Sequence, residues 1–225
     1  AGVILALIVC IVLCTVFTTI AGFFTAKFKM HPFISTMANM LVIFGLVTYS
    51  TKGVSFGGIE GNIPSMIIPK IGGFPTIILW AIAAVIIVWF IWNKTTFGKN
   101  MFAVGSNADA AKVSGVNVFW TTVMVHTLAG AMYGVTGFIE GARISSITQS
   151  AGLNYECDAI AACVIGGVSF VGGTGKISGI VLGVFVLRII FVALSMLGID
   201  PSMQYIIKGG IILAPSAKEK PSIAE

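Results

Sequence analysis

The residues of this chain best placed to do chemistry are a few charges set in or beside apolar runs. Glu140, Arg143, Glu156 and Asp158 lie in a polar stretch, 140–158, just ahead of an apolar, glycine-broken segment. Neighbouring carboxylates can serve general acid–base catalysis, but that chemistry needs a nucleophile or a bond to be broken close by. No nucleophile–His–acid set accompanies them, and the two histidines, His31 and His126, are far off in sequence. Two readings remain for Glu140, Arg143, Glu156 and Asp158: an external docking surface or gate, or ordinary solvated loop charges. Arg188 lies near the middle of an apolar run, where a charge is costly and faces a bundle interior or a partner. It is either a cavity or gate residue, or half of an ion pair with a loop carboxylate or a subunit contact. His126, alone in its run, reads first as a hydrogen-bonded packing residue and second as a ligand or proton relay.

Metal and nucleotide chemistry find less support. Cys10 and Cys14 lie one turn apart in an apolar run, with no His or carboxylate nearby, and Cys157 and Cys163 add no ligand spacing. Free Cys is readily buried, so all four read as small packing residues and no metal site is expected. Gly173-x-Gly175-x-x-x-Gly179 superficially resembles a dinucleotide-binding turn but lacks the strand, the βαβ unit and the downstream acid that the turn requires. No GxxxxGK[ST] loop occurs, so any use of ATP must come from another polypeptide.

The elements that hold these residues are membrane spans. Hydrophobic residues make up 57% of the chain and charged residues 9%, against about 25% charged in soluble domains. With a mean hydropathy of +1.03, the chain lacks the polar surface to face water all round. The net charge of +5 does not indicate nucleic acid, because the 13 Lys and Arg are scattered among short loops without a basic face. Runs of roughly 20 apolar residues each can cross a bilayer. Such runs are expected at about 2–26, 33–51, 75–92, 118–139 and 177–197. The stretch 63–68 is too short to cross and suits an interfacial helix. The run 205–214 is too short to span in full. With 93–117 on the cytoplasmic side, Lys27, Lys29, Lys94, Lys99 and Lys112 lie inside. Lys176, Lys218 and Lys220 join them if 159–175 crosses. Those eight stand against Lys52, Lys70 and Arg143 outside, in keeping with positive charge retained inside.

Two glycine series predict close helix packing. Gly130 and Gly134, and Gly175, Gly179 and Gly183, recur every four residues on one helix face, which lets backbones approach in lipid. The stretch 166–175, GGVSFVGGTG, is different: glycines weaken a helix and leave backbone groups that lipid does not satisfy. It reads as a broken segment beside a water-filled path, with a kinked packing helix as the plainer alternative. The polar segment 93–117 is either a solvated connection or the carrier of a short helix, capped by Ser106 or Asn107 and ended by Gly115, that inserts into a partner.

At four separated places the wording becomes familiar. FGKNMFAVGSNADAAKVSGVNV (97–118), HPFISTMANM (31–40), YECDAIAACVIGGVSFVGGTG (155–175) and QYIIKGGIIL (204–213) resemble the permease subunits of bacterial ATP-binding-cassette sugar importers of the ribose/galactose type. The resemblance covers most of the chain in the same order. It implies an all-α polytopic transmembrane helical bundle with a re-entrant or broken Gly-rich segment. That bundle would form a single permease domain over 1–225, working as a homodimer in the bacterial inner membrane. The partners it implies are a cytoplasmic ATPase subunit, which holds the ATP and Mg, and a periplasmic sugar-binding protein; no cofactor is expected on this chain. The family's ATPase-coupling segment maps to Gly98, Gly105, Asn107, Ala110, Ala111, Ser114 and Gly115. The motif beside the translocation path maps to Asp158, Gly166 and Gly167, with Ser169 and Arg188 as further path or gate candidates. Members of the family carry further N-terminal helices and a longer last span, so the chain is expected to be N-terminally incomplete, with an atypical tail over 215–225. The sequence therefore points to a transport subunit moving a monosaccharide, most closely of the galactose/methyl-galactoside kind, by alternating access. A secondary transporter or channel without an ATPase is the runner-up, with Arg188 or His126 as its essential residue, and an intramembrane enzyme is the weakest alternative.

Overall fold

The computed structural model describes residues 2–57, 70–71, 74–144, 146–148, 150–169 and 172–216. The interfacial helix expected at 63–68 lies outside them. The elements run α1 (Gly2–Phe28), α2 (Pro32–Thr51), β1 (Phe56–Gly57), β2 (Lys70–Ile71), β3 (Phe74–Pro75) and α3 (Ile77–Lys94). They continue as α4 (Thr96–Ser106), α5 (Ala108–Val113), α6 (Val118–Ile144), β4 (Ser146–Ile147), α7 (Tyr155–Ile165), α8 (Ile177–Met196) and α9 (Pro201–Ser216). The strands are two-residue antiparallel pairings, β1 with β4 and β2 with β3, and the protein is all-α in architecture. Among the described residues five helices, α1, α2, α3, α6 and α8, are long and apolar enough to cross a membrane, at the five places expected.

The chain divides into two compact units: Ala1–Val104 with Asp109–Ala151, and Gly105–Ala108 with Gly152–Glu225. The first is organised by α1 against α6. The 27 residues of α1 extend about 40 Å at roughly 1.5 Å per residue, more than a hydrocarbon core of about 30 Å. A Cβ on Gly134 would lie 2.5 Å from the Cα of Ile11, and one on Gly130 would lie 2.8 Å from the Cα of Thr15. Both glycines thus place α6 backbone directly on α1 backbone, as their spacing predicts. Gly22 returns the favour: the side chain of His126 fills the space where its Cβ would stand. His126 Nδ1 lies 2.9 Å from the Thr122 carbonyl oxygen of its own helix, so His126 is a packing residue. Thr18 and Thr25 donate to the carbonyls of Cys14 and Ala21, but Thr19 pairs across the helices with Thr127 at 2.9 Å. Between α1 and α2 the chain turns at Lys29, with φ of 50°, and restarts at Pro32, whose missing N–H costs nothing at a helix start.

In the second unit α7, α8 and α9 pack around Ala161, Ala162 and Leu187. Eleven residues make α7 about 16 Å long, too short to cross. It stops at Gly166, and Gly167, at φ of 78°, takes a left-handed conformation that other residues rarely adopt. The N–H groups of Gly167 and Val168 then donate back to the carbonyls of Val164 and Cys163, satisfying the helix end. Gly179 and Gly183 of α8 face this end. A Cβ on Gly183 would collide with the carbonyl oxygen of Ala162, and one on Gly179 with that of Gly166. Gly179 and Gly183 are therefore the seam between α7 and α8, and the helix breaks at Gly166–Gly167.

Candidate functional site

One face of α8 and one of α9 build a charged cavity. Arg188, Phe191, Val192, Ser195 and Met196 recur at three- and four-residue steps and so share a face of α8. Gln204, Tyr205 and Lys208 line the cavity from α9, and Asp158 lines it from the first turn of α7. The cavity is an open groove of about 490 Å³ in which Arg188, Val192, Ser195, Met196 and Tyr205 are exposed.

The charges in this cavity are unequally satisfied. Lys208 is 9% exposed, and its ammonium forms an ion pair with Asp158. The rings of Phe191 and Tyr205 flank the ammonium, with centroids 5.4 and 5.2 Å away. Such contacts favour a cation by about 0.5–2 kcal/mol each. Burying the pair is tolerable because each charge has its counter-charge. Arg188 lines the same cavity, and it has no ion-pair or hydrogen-bond partner among the described residues. The carboxylate that could have paired with it is taken by Lys208. The ion pair inside the bundle exists, but it belongs to Lys208. The amide of Gln204 donates to Ser195 Oγ at 3.2 Å, tying α9 to α8 on the cavity rim.

Asp200 sets where α9 begins. Its carboxylate accepts from the Ser202 backbone N–H at 2.7 Å, and Pro201 follows at the first helical position. The side-chain and backbone bonds from Ser202 hold its carboxyl below the usual carboxylate value. A depressed folded-state value means the stabilisation is present at neutral pH and disappears as pH falls through that value. Exchange of the Ser202 and Met203 amides, followed by hydrogen exchange from neutral into the acid range, will therefore accelerate relative to amides in α8. Equal changes in both helices would contradict this role for Asp200.

The segment 93–117 is more ordered than a loop. After α3 the chain breaks at Thr95, which is extended, and re-enters a helix as α4. Gly98 is buried there, and a Cβ on it would collide with the Trp92 carbonyl oxygen. Its N–H donates to Thr95 Oγ1 at 3.2 Å, and Trp92 meets Phe102 edge-on at 5.6 Å. Gly98 thus folds α4 back on the end of α3. The short helix expected next is α5. It follows Asn107 and ends through Gly115, whose φ is 85°, with N–H bonds from Gly115 to Lys112 and from Val116 to Ala111. Ala111 is buried, whereas Asn107, Ala110, Ser114 and Gly115 are exposed. The most exposed large apolar side chain in the segment is Val113, at 90%.

Gly105 and Ser106 make a second seam, within the second unit. A Cβ on Gly105 would lie 2.8 Å from the backbone N of Gly173, and one on Gly172 would lie 2.7 Å from the Gly105 carbonyl oxygen. Gly173 is seated against Ser106. Both Gly172 and Gly173 have positive φ, 101° and 71°. Ser169 donates its N–H to the Thr174 carbonyl and closes the turn that presents them. The segment that ends α4 therefore rests on the turn that follows the break at Gly166–Gly167.

The remaining candidates fall apart into separate roles. Glu140 and Arg143 form a bidentate pair one turn apart at the end of α6, with Nε to Oε2 at 2.9 Å. Glu156 is half-buried in the first turn of α7, in the other unit. Among the described residues no cluster of His, Cys, Asp or Glu could hold a metal ion.

Among the described residues, five membrane-length helices and a broken short helix beside a charged groove define a polytopic integral membrane protein. Over residues 1–215 the chain matches, and so belongs to, the family described as the permease component of branched-chain amino acid transport systems. It is 44% identical over 224 residues to the galactose/methyl galactoside import permease protein of Treponema pallidum, covering 96% of this chain and 42% of that protein. It is 43% identical over 201 residues to the protein of the same name in Escherichia coli, covering 86% of this chain and 60% of that one. The L-arabinose transport system permease protein of Escherichia coli is 36% identical over 193 residues, covering 86% of this chain and 59% of that protein. The chain thus spans about half the length of the curated relatives it matches. No solved structure matches it.

Proposed function

We infer that this chain is the membrane subunit of an ATP-binding-cassette importer for a monosaccharide. It would act as a homodimer in a bacterial inner membrane, with 93–117 on the cytoplasmic side. Relatives named for galactose/methyl galactoside, L-arabinose, ribose and xylose support a monosaccharide as the substrate. ATP and Mg sit on a separate ATPase subunit, and a periplasmic binding protein delivers the sugar.

The observation that carries this reading is the seat of Gly105–Ser106 on Gly172–Gly173. An ATPase that docks on α5 through Val113, Asn107, Ala110 and Ser114 displaces 105–107, and that displacement bears directly on the turn behind the glycine break. Coupling requires that each partner contact the two states differently, and two backbone surfaces in direct contact cannot move independently. Glu140, Arg143 and Glu156 are left for the periplasmic side, where they would meet the binding protein.

The test is ATP-driven uptake of labelled galactose by cells carrying the full-length chain with its ATPase and binding protein. Uptake will disappear when the ATPase is omitted. Uptake that persists without the ATPase and collapses with the proton gradient would instead establish a secondary transporter. Gly173→Ala places a Cβ against Ser106 at a φ that costs about 1–2 kcal/mol for an L-residue. It is expected to reduce coupled uptake at least tenfold while ATPase capture persists. Unchanged uptake in that variant would remove the seam from the coupling path.

A further inference from the structure

Two lysines flank the corner where α3 turns into α4. Lys94 is the last residue of α3, and Lys99 lies in the first turn of α4, its N–H donating to the Thr95 carbonyl at 3.4 Å. The extended residue Thr95 turns the chain between them, and Gly98 seats the start of α4 on the carbonyls of Ile91 and Trp92. Both lysines are exposed, and neither has a carboxylate partner among the described residues.

The length of α3 sets the depth of this corner. Its 18 residues extend about 27 Å at roughly 1.5 Å per residue, close to a hydrocarbon core of about 30 Å. Lys94 therefore reaches the headgroup level when α3 spans. Just below it Trp89 and Phe90 are exposed, as aromatic residues are at a membrane interface. The Lys94 ammonium lies 5.8 Å from the centroid of the Trp89 ring, so the cation is held where an apolar wall meets water.

We propose that this corner binds the phosphate of an anionic phospholipid, with Lys94 and Lys99 as the charges that hold it and Trp89 and Phe90 as the wall for an acyl chain. Two cations without a counter-charge attract a phosphate more strongly at the edge of the hydrocarbon layer than in water, because the dielectric there is lower. A zwitterionic headgroup brings its own cation to the same two lysines and gains less. Free phosphate meets the lysines but leaves the apolar wall unused. The corner lies at the root of the segment that carries α5, yet lipid binding here does not depend on whether an ATPase docks there, so the two readings fail separately.

Native mass spectrometry of the detergent-solubilised full-length chain, titrated in turn with phosphatidylglycerol, phosphatidylcholine and inorganic phosphate, tests it. Phosphatidylglycerol is expected to bind at least tenfold more tightly than phosphatidylcholine. A lysine beside an anionic lipid surface is worth roughly fivefold in affinity. Lys94→Gln combined with Lys99→Gln is therefore expected to weaken phosphatidylglycerol at least tenfold and to leave phosphatidylcholine unchanged. Lys94→Arg combined with Lys99→Arg keeps both charges and is expected to keep the binding. Lys27→Gln combined with Lys29→Gln removes the same charge at the end of α1 and is expected to weaken it far less. Because Lys94 and Lys99 are exposed, the melting temperature should match that of the unmodified chain. Equal weakening by the two glutamine pairs would reveal diffuse attraction and overturn the site. Equal affinity for the two lipids would overturn it too, as would displacement of phosphatidylglycerol by an equal concentration of inorganic phosphate. Undiminished lipid binding with lost ATPase capture in the Lys94 and Lys99 glutamine pair would give the corner to the ATPase instead.

Discussion

Asp158→Asn is expected to destabilise the protein, and Lys208→Met in the same chain is expected to restore most of the loss. The argument is the state in which the single change leaves Lys208. Its ammonium is buried beneath Phe191 and Tyr205, and the ion pair with Asp158 is the only one it has among the described residues. Breaking a fully buried pair from one side costs about 3–5 kcal/mol, because the remaining charge stays desolvated without its partner; the Asp158 side chain is 32% exposed, so the cost here falls below that range. Replacing both partners with uncharged groups removes that charge and is nearly neutral. Thermal unfolding in detergent, read as a double-mutant cycle, measures this directly. A double mutant as unstable as the sum of the two single changes would show that the pair is not what holds α9 to α7.

The second large effect comes from Gly183→Leu. A Cβ alone at this position collides with the Ala162 carbonyl oxygen and lies 2.8 Å from the Gly166 backbone N. Both neighbours are backbone, so no side chain can swing aside. Overpacking typically costs about 1–3 kcal/mol, and more where the backbone must shift. Here α7 and α8 must separate, and with them the core of Ala161, Ala162 and Leu187. Membrane abundance should fall several-fold, as losses of a few kcal/mol do in cells. Gly137→Leu provides the control, since a Cβ at Gly137 meets nothing within 4 Å. Equal abundance of the two variants would remove the close seam from the account.

These effects show which parts of the molecule can be read from a linear chain. The five membrane-length helices were legible, because a long apolar run has few alternatives in lipid. Their ends were less so. α6 runs on to Ile144, five residues past the expected end, where the Glu140–Arg143 pair bridges one turn and keeps the helix going. α4 was hidden in a segment that reads as polar, although Phe97, Met101 and Val104 recur at helical spacing and were signal enough. The Asp200–Pro201 start of α9 was a cap signature that went unread.

The candidate site was legible only in pieces. Asp158, Arg188 and the glycines could be singled out because charge and glycine are conspicuous in an apolar chain. Their partners could not, because Lys208 and Asp158 meet through tertiary packing from elements far apart in sequence. For the same reason Gly105 and Gly173 each look like ordinary loop glycines until the fold sets one upon the other. Ala111 and Val113 are both apolar residues of one short segment, and only the fold turns one inward and the other out.

The central claim is that an ATPase works on this chain through α5. Co-purification tests it most directly: the cognate ATPase is captured with the detergent-solubilised full-length chain, unmodified or carrying Val113→Asp, at matched membrane abundance. Val113 is almost fully exposed, so the change leaves the fold intact while placing a charge on the docking face. The account predicts capture by the unmodified chain and at least a tenfold loss with Val113→Asp. Undiminished capture with Val113→Asp, or no capture by an unmodified chain that still imports sugar, would contradict it.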